Sequence, residues 1–348
     1  MKTFMTGVCL MAAVASAAPA MARDLPVPAD KGWKHAQSGV ILRAQLAGMT
    51  RIGLSDATNG EFDVTAQFAT PDKATFATIY LFQPAVQSVP MWFDRARTAL
   101  EERDIFRNAA PATIDPIAFA APGATTASSL RQVYALASGR PRSTALAVIP
   151  VGQWLVAIRL TSDTLVAEQL DATLSTLITA IAWPAASGAA VPAAVPIAPC
   201  STPLAYGKAK VVKTQGADAL VSLLLTAGLA TAEARKKPDT PADAPPVWCR
   251  GDVAGARYAA YRSSDDAASY VMALGDAGRV ITVAPSLMGQ VDKKGIYTVT
   301  LKDVDGNTAI FATFSALPAP DQVLKAVMNG KPAGRAKAGN ITLDSGAF

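Results

Sequence analysis

A single histidine, His35, limits the acid–base chemistry open to this 348-residue chain. A serine nucleophile in a triad needs a base near neutral pH, and imidazole is the usual one. His35 lies in Gly32-Trp33-Lys34-His35-Ala36-Gln37-Ser38-Gly39 and reads as an exposed or edge-packed side chain. Neither G-x-S-x-G nor S-x-x-K occurs, which removes two common acyl-transfer signatures. H-E-x-x-H and any His/Cys cluster are missing too, so no metal site is expected. Two carboxylates held about 5–10 Å apart could hydrolyse a glycoside. The candidates Glu101-Glu102 and Asp265-Asp266 are neighbours in sequence. On a helix such neighbours point about 100° apart, so Glu101 and Glu102 read as a solvated face with Arg97 and Arg103. The chain has 24 glycines, but no two are separated by one residue, so G-x-G-x-x-G cannot occur. G-x-x-x-x-G-K-[ST] is also absent, and no cofactor is expected. Asp303-Val304-Asp305-Gly306-Asn307 suggests a calcium loop, but its glycine comes one place early and no closing glutamate follows. Asp305-Gly306 between two β-rich runs predicts a hairpin instead.

The cysteines point to a compartment. Met1–Ala22 has a positive head at Lys2, an apolar run from Phe4 to Ala15, and small residues at Ala20 and Ala22. That is the layout of a cleavable secretory signal, and its apolar run is too short to span a bilayer. Cleavage after Ala22 would discard Cys9 and leave Cys200 and Cys249, an even pair expected to form a disulfide in an oxidising compartment. Loss of Lys2 takes the net charge from +5 to +4. That is a weak field for the remaining chain, without the aromatic-interleaved basic stripe that nucleic acid requires. No later segment is apolar enough to be a transmembrane segment; the richest, Ala217–Ala232, contains Asp218 and two threonines.

The elements that would position these residues fall into two α+β domains. Gly32–Trp183 forms the first, Pro184–Pro199 an Ala/Pro linker drawn as an extended spacer, and Cys200–Phe348 a second, smaller mixed domain with a loose tail after Lys331 that carries one short strand at Ile341–Leu343. In the first, Val40–Leu46, Phe62–Phe68 and Ala74–Phe82 read as strands after which the period changes. Pro90–Asn108 changes to a helical period, with Trp92, Ala96, Ala99, Leu100 and Arg103 at helical spacing and Asp94, Arg95, Arg97, Glu101 and Glu102 on the other side. Strands at Thr113–Phe119, Leu130–Ala137, Thr144–Pro150 and Gln153–Leu160 follow, then a helix over Ser162–Ile181 capped by Thr161 or Ser162. In the second domain a helix at Ala217–Arg235 precedes strands from Val247 to Ala316 and a helix at Pro320–Met328. Trp33, Trp92, Trp154, Trp183 and Trp248 could line a groove, but Trp154 and Trp183 suit core packing and Trp248 suits a place over the disulfide.

Phe62–Phe68, Ala74-Thr75-Phe76-Ala77-Thr78-Ile79-Tyr80-Leu81-Phe82, and Trp154–Leu160 running into Leu165–Ile181 give the first domain a layout that resembles the Mog1/PsbP-like α/β/α sandwiches. The resemblance is one of layout, covers that domain alone, and implies a binding or assembly role. The expected function is an exported envelope protein that binds, scaffolds or assembles, its partner an envelope protein or a small ligand. The alternative is a hydrolase using carboxylates or His35.

Overall fold

The central strands of the first domain are apolar on both faces, so both faces must be covered. Ser143–Val151 is buried along nearly its whole length, and Trp154–Ser162 likewise. The computed structural model describes residues 22–185, 191–212, 219–221, 223–224, 246–264, 266, 268–291, 295–337 and 340–344. Met1–Met21, with the expected signal, and most of the expected helix at Ala217–Arg235 lie outside the described residues.

The first sheet is antiparallel and ten-stranded. Its main strands are β1 (Met49–Asp56), β2 (Asp63–Ala69), β3 (Thr75–Phe82), β4 (Ser129–Leu136), β5 (Ser143–Val151) and β6 (Trp154–Ser162). They lie in the order β1-β2-β3-β6-β5-β4, with Arg23–Asp24 and Gln45–Leu46 on β1 and Ala109–Pro111 and Ile117–Phe119 on β4. Helix α1 (Val89–Glu101) covers one face and α2 (Ala167–Ala180) the other. Ser88 accepts a hydrogen bond from the Met91 amide and Pro90 sits in the first turn of α1, both favourable helix-start features. Leu170, Leu174, Leu177 and Ile178 of α2 are buried in the core formed with Ala145, Ala147, Val156 and Ile158.

The second sheet is antiparallel and nine-stranded. Strands β7 (Trp248–Gly255), β8 (Tyr258–Ser263), β9 (Tyr270–Leu274), β10 (Arg279–Pro285), β11 (Tyr297–Lys302), β12 (Thr308–Phe314), β13 (Gly334–Lys337) and β14 (Asn340–Leu343) pair each with the next; Val211–Val212 joins β12. A short helical turn, α3 (Leu287–Val291), and α4 (Pro320–Asn329) are the second domain's described α-helices besides the helical residues 219–221 and 223–224. No helix among the described residues is long and apolar enough to cross a membrane.

Several expectations change. Met49–Asp56 is a full strand outside the expected set, while Val40–Leu46 yields only two-residue pairings. Its alternation was masked by Arg51, which is buried because its guanidinium donates to the Pro28 carbonyl at 2.7 Å. Helix α2 begins five residues late: Ser162 ends β6 and its hydroxyl accepts from the Leu165 amide instead of capping the helix. The second domain is mostly sheet, and the tail after Lys331 supplies β13 and β14. Its Gly/Ala composition reads as loose, yet small size is what the packing demands: Leu223 and Leu343 sit so close to Gly334 that a Cβ there would meet both within 3.0 Å. Residues 191–199 lie along the molecule, with the Ala194 amide bonded to the Ala127 carbonyl at 2.9 Å and Ala194 buried.

Candidate functional site

Met91, Trp92 and Phe93 are consecutive and all buried, so α1 has no free apolar-to-polar divide. A helix buried all round must have structure on both sides. One side is its own sheet; the other is β7 and β8 of the second domain, and Tyr261, Ala259, Val271 and Ala273 join Trp92, Phe93 and Leu100 in one apolar cluster. The face expected to meet solvent therefore meets a second sheet. Asp94 and Arg95 are buried there, a correction that follows from the domain contact.

Arg95 is fully buried and donates to three backbone carbonyls of the second domain: Gly275 at 2.8 Å, Gly255 at 2.9 Å and Ala256 at 2.8 Å. The planar guanidinium fork can address three acceptors at once, which an ammonium on a flexible stem cannot do with the same geometry. Asp94 completes the arrangement. Its Oδ1 accepts from Arg97 at 2.8 Å and from Arg250 at 2.9 Å, and its Oδ2 accepts from the Tyr261 hydroxyl at 2.8 Å. Burial, with Asp94 beside it, pushes the Tyr261 phenol up, so the hydroxyl stays a donor. Glu102, on the exposed end of the helix, accepts from the Ala256 amide at 2.6 Å, and Glu101 accepts from the Tyr134 hydroxyl. Asp266 caps the Ala268 amide; Asp265 lies outside the described residues.

The turn between β9 and β10 forms the second contact. The Gly278 carbonyl accepts from the Ala85 amide at 2.8 Å, and Asp276 takes a 3.4 Å contact from buried Arg159 of β6. Gly278 has φ +93°, and a Cβ there would lie 2.8–3.2 Å from Val304, Phe82 and Pro84. Only glycine satisfies both demands. Arg279 bonds Asp303 at 2.9 Å and stands 3.9 Å from Asp63, which begins β2 in the first domain.

Asp63 gives this junction a pH dependence. Burial raises its carboxyl to about 6, partly opposed by Arg279 and reinforced by Asp56, Asp276 and Asp303. Unfolded, it titrates near the ordinary 3.8. The native state therefore binds more protons between about pH 4 and 6, and stability from this group falls as pH rises through that window. Asp63→Asn is expected to flatten that fall and to raise stability at pH 7 by about 3 kcal/mol. Urea unfolding from pH 4.5 to 7.5 reads it; an unchanged slope in the variant would rule the assignment out.

Cys200 and Cys249 form a disulfide with Cα atoms 4.8 Å apart. It joins the end of the Ala/Pro stretch to β7, where the Arg250 amide donates to Ala198 and the Cys200 amide to the Arg250 carbonyl. Trp248 packs against the junction cluster. The residue next to the disulfide, Arg250, is the one that reaches Asp94.

His35 is fully buried, contrary to the exposed or edge position expected, because Trp33 and Trp154 enclose it with ring centroids 5.5 and 4.4 Å away. Its Nδ1 accepts from the Ser38 amide at 3.1 Å and lies 2.8 Å from Ser38 Oγ, and its Nε2 is 3.0 Å from the Glu61 carbonyl. Nε2 therefore carries the proton. Burial lowers its pKa, so the ring is a neutral tether for the Asp56–Phe62 loop. Asp303–Asn307 is a hairpin turn between β11 and β12, with the Asp303 amide bonded to the Asn307 carbonyl at 2.8 Å and Gly306 at φ +77°. Among the described residues no group of three or more His, Cys, Asp or Glu side chains is placed to hold a metal.

Comparison of the chain with family models, with curated proteins and with solved structures found no match. Asp94, Arg95, Arg250 and Tyr261 were missed as a group in the sequence. The adjacent apolar trio Met91-Trp92-Phe93 was the available signal, since three consecutive buried residues cannot share one helix face.

Proposed function

We propose that this chain is an exported protein of the bacterial envelope that binds or assembles, without chemistry of its own. The observation that carries the reading is the use of its reactive side chains as fasteners: both nitrogens of His35 and both oxygens of Asp94 are engaged in holding the fold. A disulfide that ties β7 to the domain junction supports an oxidising destination. Arg23, which follows the expected cleavage point, is tied to buried Asp56 at 3.1 Å. An antiparallel sheet with α1 on one face and α2 on the other supports a Mog1/PsbP-like first domain. Its partner is an envelope protein or a small ligand.

Expression with the natural leader is expected to deliver a periplasmic product that begins at Arg23 and gains about 2 Da on reduction. That product is expected to turn over none of a panel of ester, amide and glycoside substrates. A turnover abolished by His35→Gln, with folding retained, would overturn the non-catalytic reading.

A further inference from the structure

The second sheet has one face against the first domain, and that face is apolar at each end but not in the middle. At one end Ala259, Tyr261 and Val271 belong to the junction cluster. At the other, Ile310 and Ala336 pack against Ala219 and Leu223 of the helical residues 219–221 and 223–224. Between them, β10 and β11 turn Ile281, Val283 and Val299 to the opposite face, where they fill a separate core with α4. Alternation then places Thr282, Thr298, Thr300 and Lys302 on the junction side. The register sets Thr282 beside Thr300, and Lys302 between Val280 and Thr308. The strip is two strands wide, about 10 Å, where Thr282 stands beside Thr300, and narrows to β11 at Lys302, whose β10 neighbour Val280 belongs to the junction cluster.

Two features of the strip are unsatisfied among the described residues. Lys302 is half-buried, and no carboxylate pairs with it among the described residues. Burial alone acts on its ammonium, holding it below the ordinary lysine range. Thr298 is nine-tenths buried, and its Oγ1 has no hydrogen-bond partner among the described residues. A desolvated ammonium without a counter-charge is unfavourable, as is a buried hydroxyl left unbonded. An ammonium offers only donors, and each hydroxyl can add one more. The complement of that set is a compact group that is negative and rich in acceptors.

We propose that this strip binds a small oxyanion-bearing ligand, a carboxylate or a phosphate, through Lys302 Nζ and the hydroxyls of Thr298 and Thr300. The site goes beyond the reading of the chain as an exported binding protein, since it stands whether or not the chain is exported. A single cation between two apolar walls suits one small anion. It does not suit a polyanion, which needs several cations spaced along a surface.

Calorimetric titration of the full chain at low ionic strength tests it, with inorganic phosphate and succinate as separate probes. The expected result is saturable binding of at least one probe at one site per chain, and the probe that binds distinguishes phosphate from carboxylate. Affinity is expected to fall about tenfold or more in Lys302→Met, and about threefold in Thr300→Val by loss of one neutral hydrogen bond. Lys302→Met is expected to unfold at the same or higher temperature than the parent, because it removes a buried charge. Absence of binding by the parent to both probes would overturn the proposal. So would binding that survives Lys302→Met unchanged.

Discussion

Arg95→Met is expected to destabilise the chain by about 4 kcal/mol and to split its thermal unfolding into two transitions. Methionine nearly preserves the volume, so the loss measures hydrogen bonding more than cavity formation. Three carbonyls of the second domain, on Gly255, Ala256 and Gly275, lose their donor together. A hydrogen bond to a charged group contributes about 1.5–3 kcal/mol. Water can reach some of these half-exposed turns, so the total falls short of three full bonds. Splitting follows because Arg95 binds both turns that contact the first domain, the β7–β8 turn and the β9–β10 turn. Arg95→Lys is expected to recover only part of the loss, since one ammonium cannot reproduce the fork. Scanning calorimetry reads both variants. A single transition in Arg95→Met, within about 1 kcal/mol of the parent, would refute the role given to the residue.

Removal of the disulfide by Cys200→Ser with Cys249→Ser is expected to cost about 4 kcal/mol, from the chain entropy of a loop closed over 49 residues. In a domain of this size that lowers the melting temperature by about 10 °C. The effect has a direction within the molecule. Cys249 precedes Arg250 on the edge strand β7, so the cross-link holds in place the side chain that reaches Asp94. The second domain is expected to melt first, and the junction to loosen with it. Thermal scans with and without reductant give the same comparison without mutation. Equal melting temperatures would show that β7 keeps its place without the bond.

Much of the secondary structure could be read in the sequence, because strand alternation and turn chemistry are local. Phe62–Phe68 and Ala74–Phe82 became β2 and β3, and Asp305-Gly306 became the β11–β12 turn. The disulfide was also legible, since Cys200 and Cys249 are the even pair that the sequence offers once Cys9 is assigned to the expected leader. The strand Met49–Asp56 was not, because Arg51 interrupts its apolar pattern and is buried only by virtue of carbonyls from Val27 and Pro28. His35 was placed at an edge because nothing nearby in sequence reveals that Trp154, more than a hundred residues away, closes over it.

The junction could not be read in the same way. Local pattern assigns Asp94 and Arg95 to the polar side of an amphipathic helix, and as an isolated helix that assignment is sound. Their role arises because a second sheet packs where solvent was expected, and burial turns two surface charges into the centre of a hydrogen-bond network. Lys302 shows the same dependence in reverse. Its position on one side of β11 follows from the pleat, but its lack of a counter-charge among the described residues depends on which elements stand around that face. Periodicity tells which side a residue faces, and the packing of the two domains decides what that side meets.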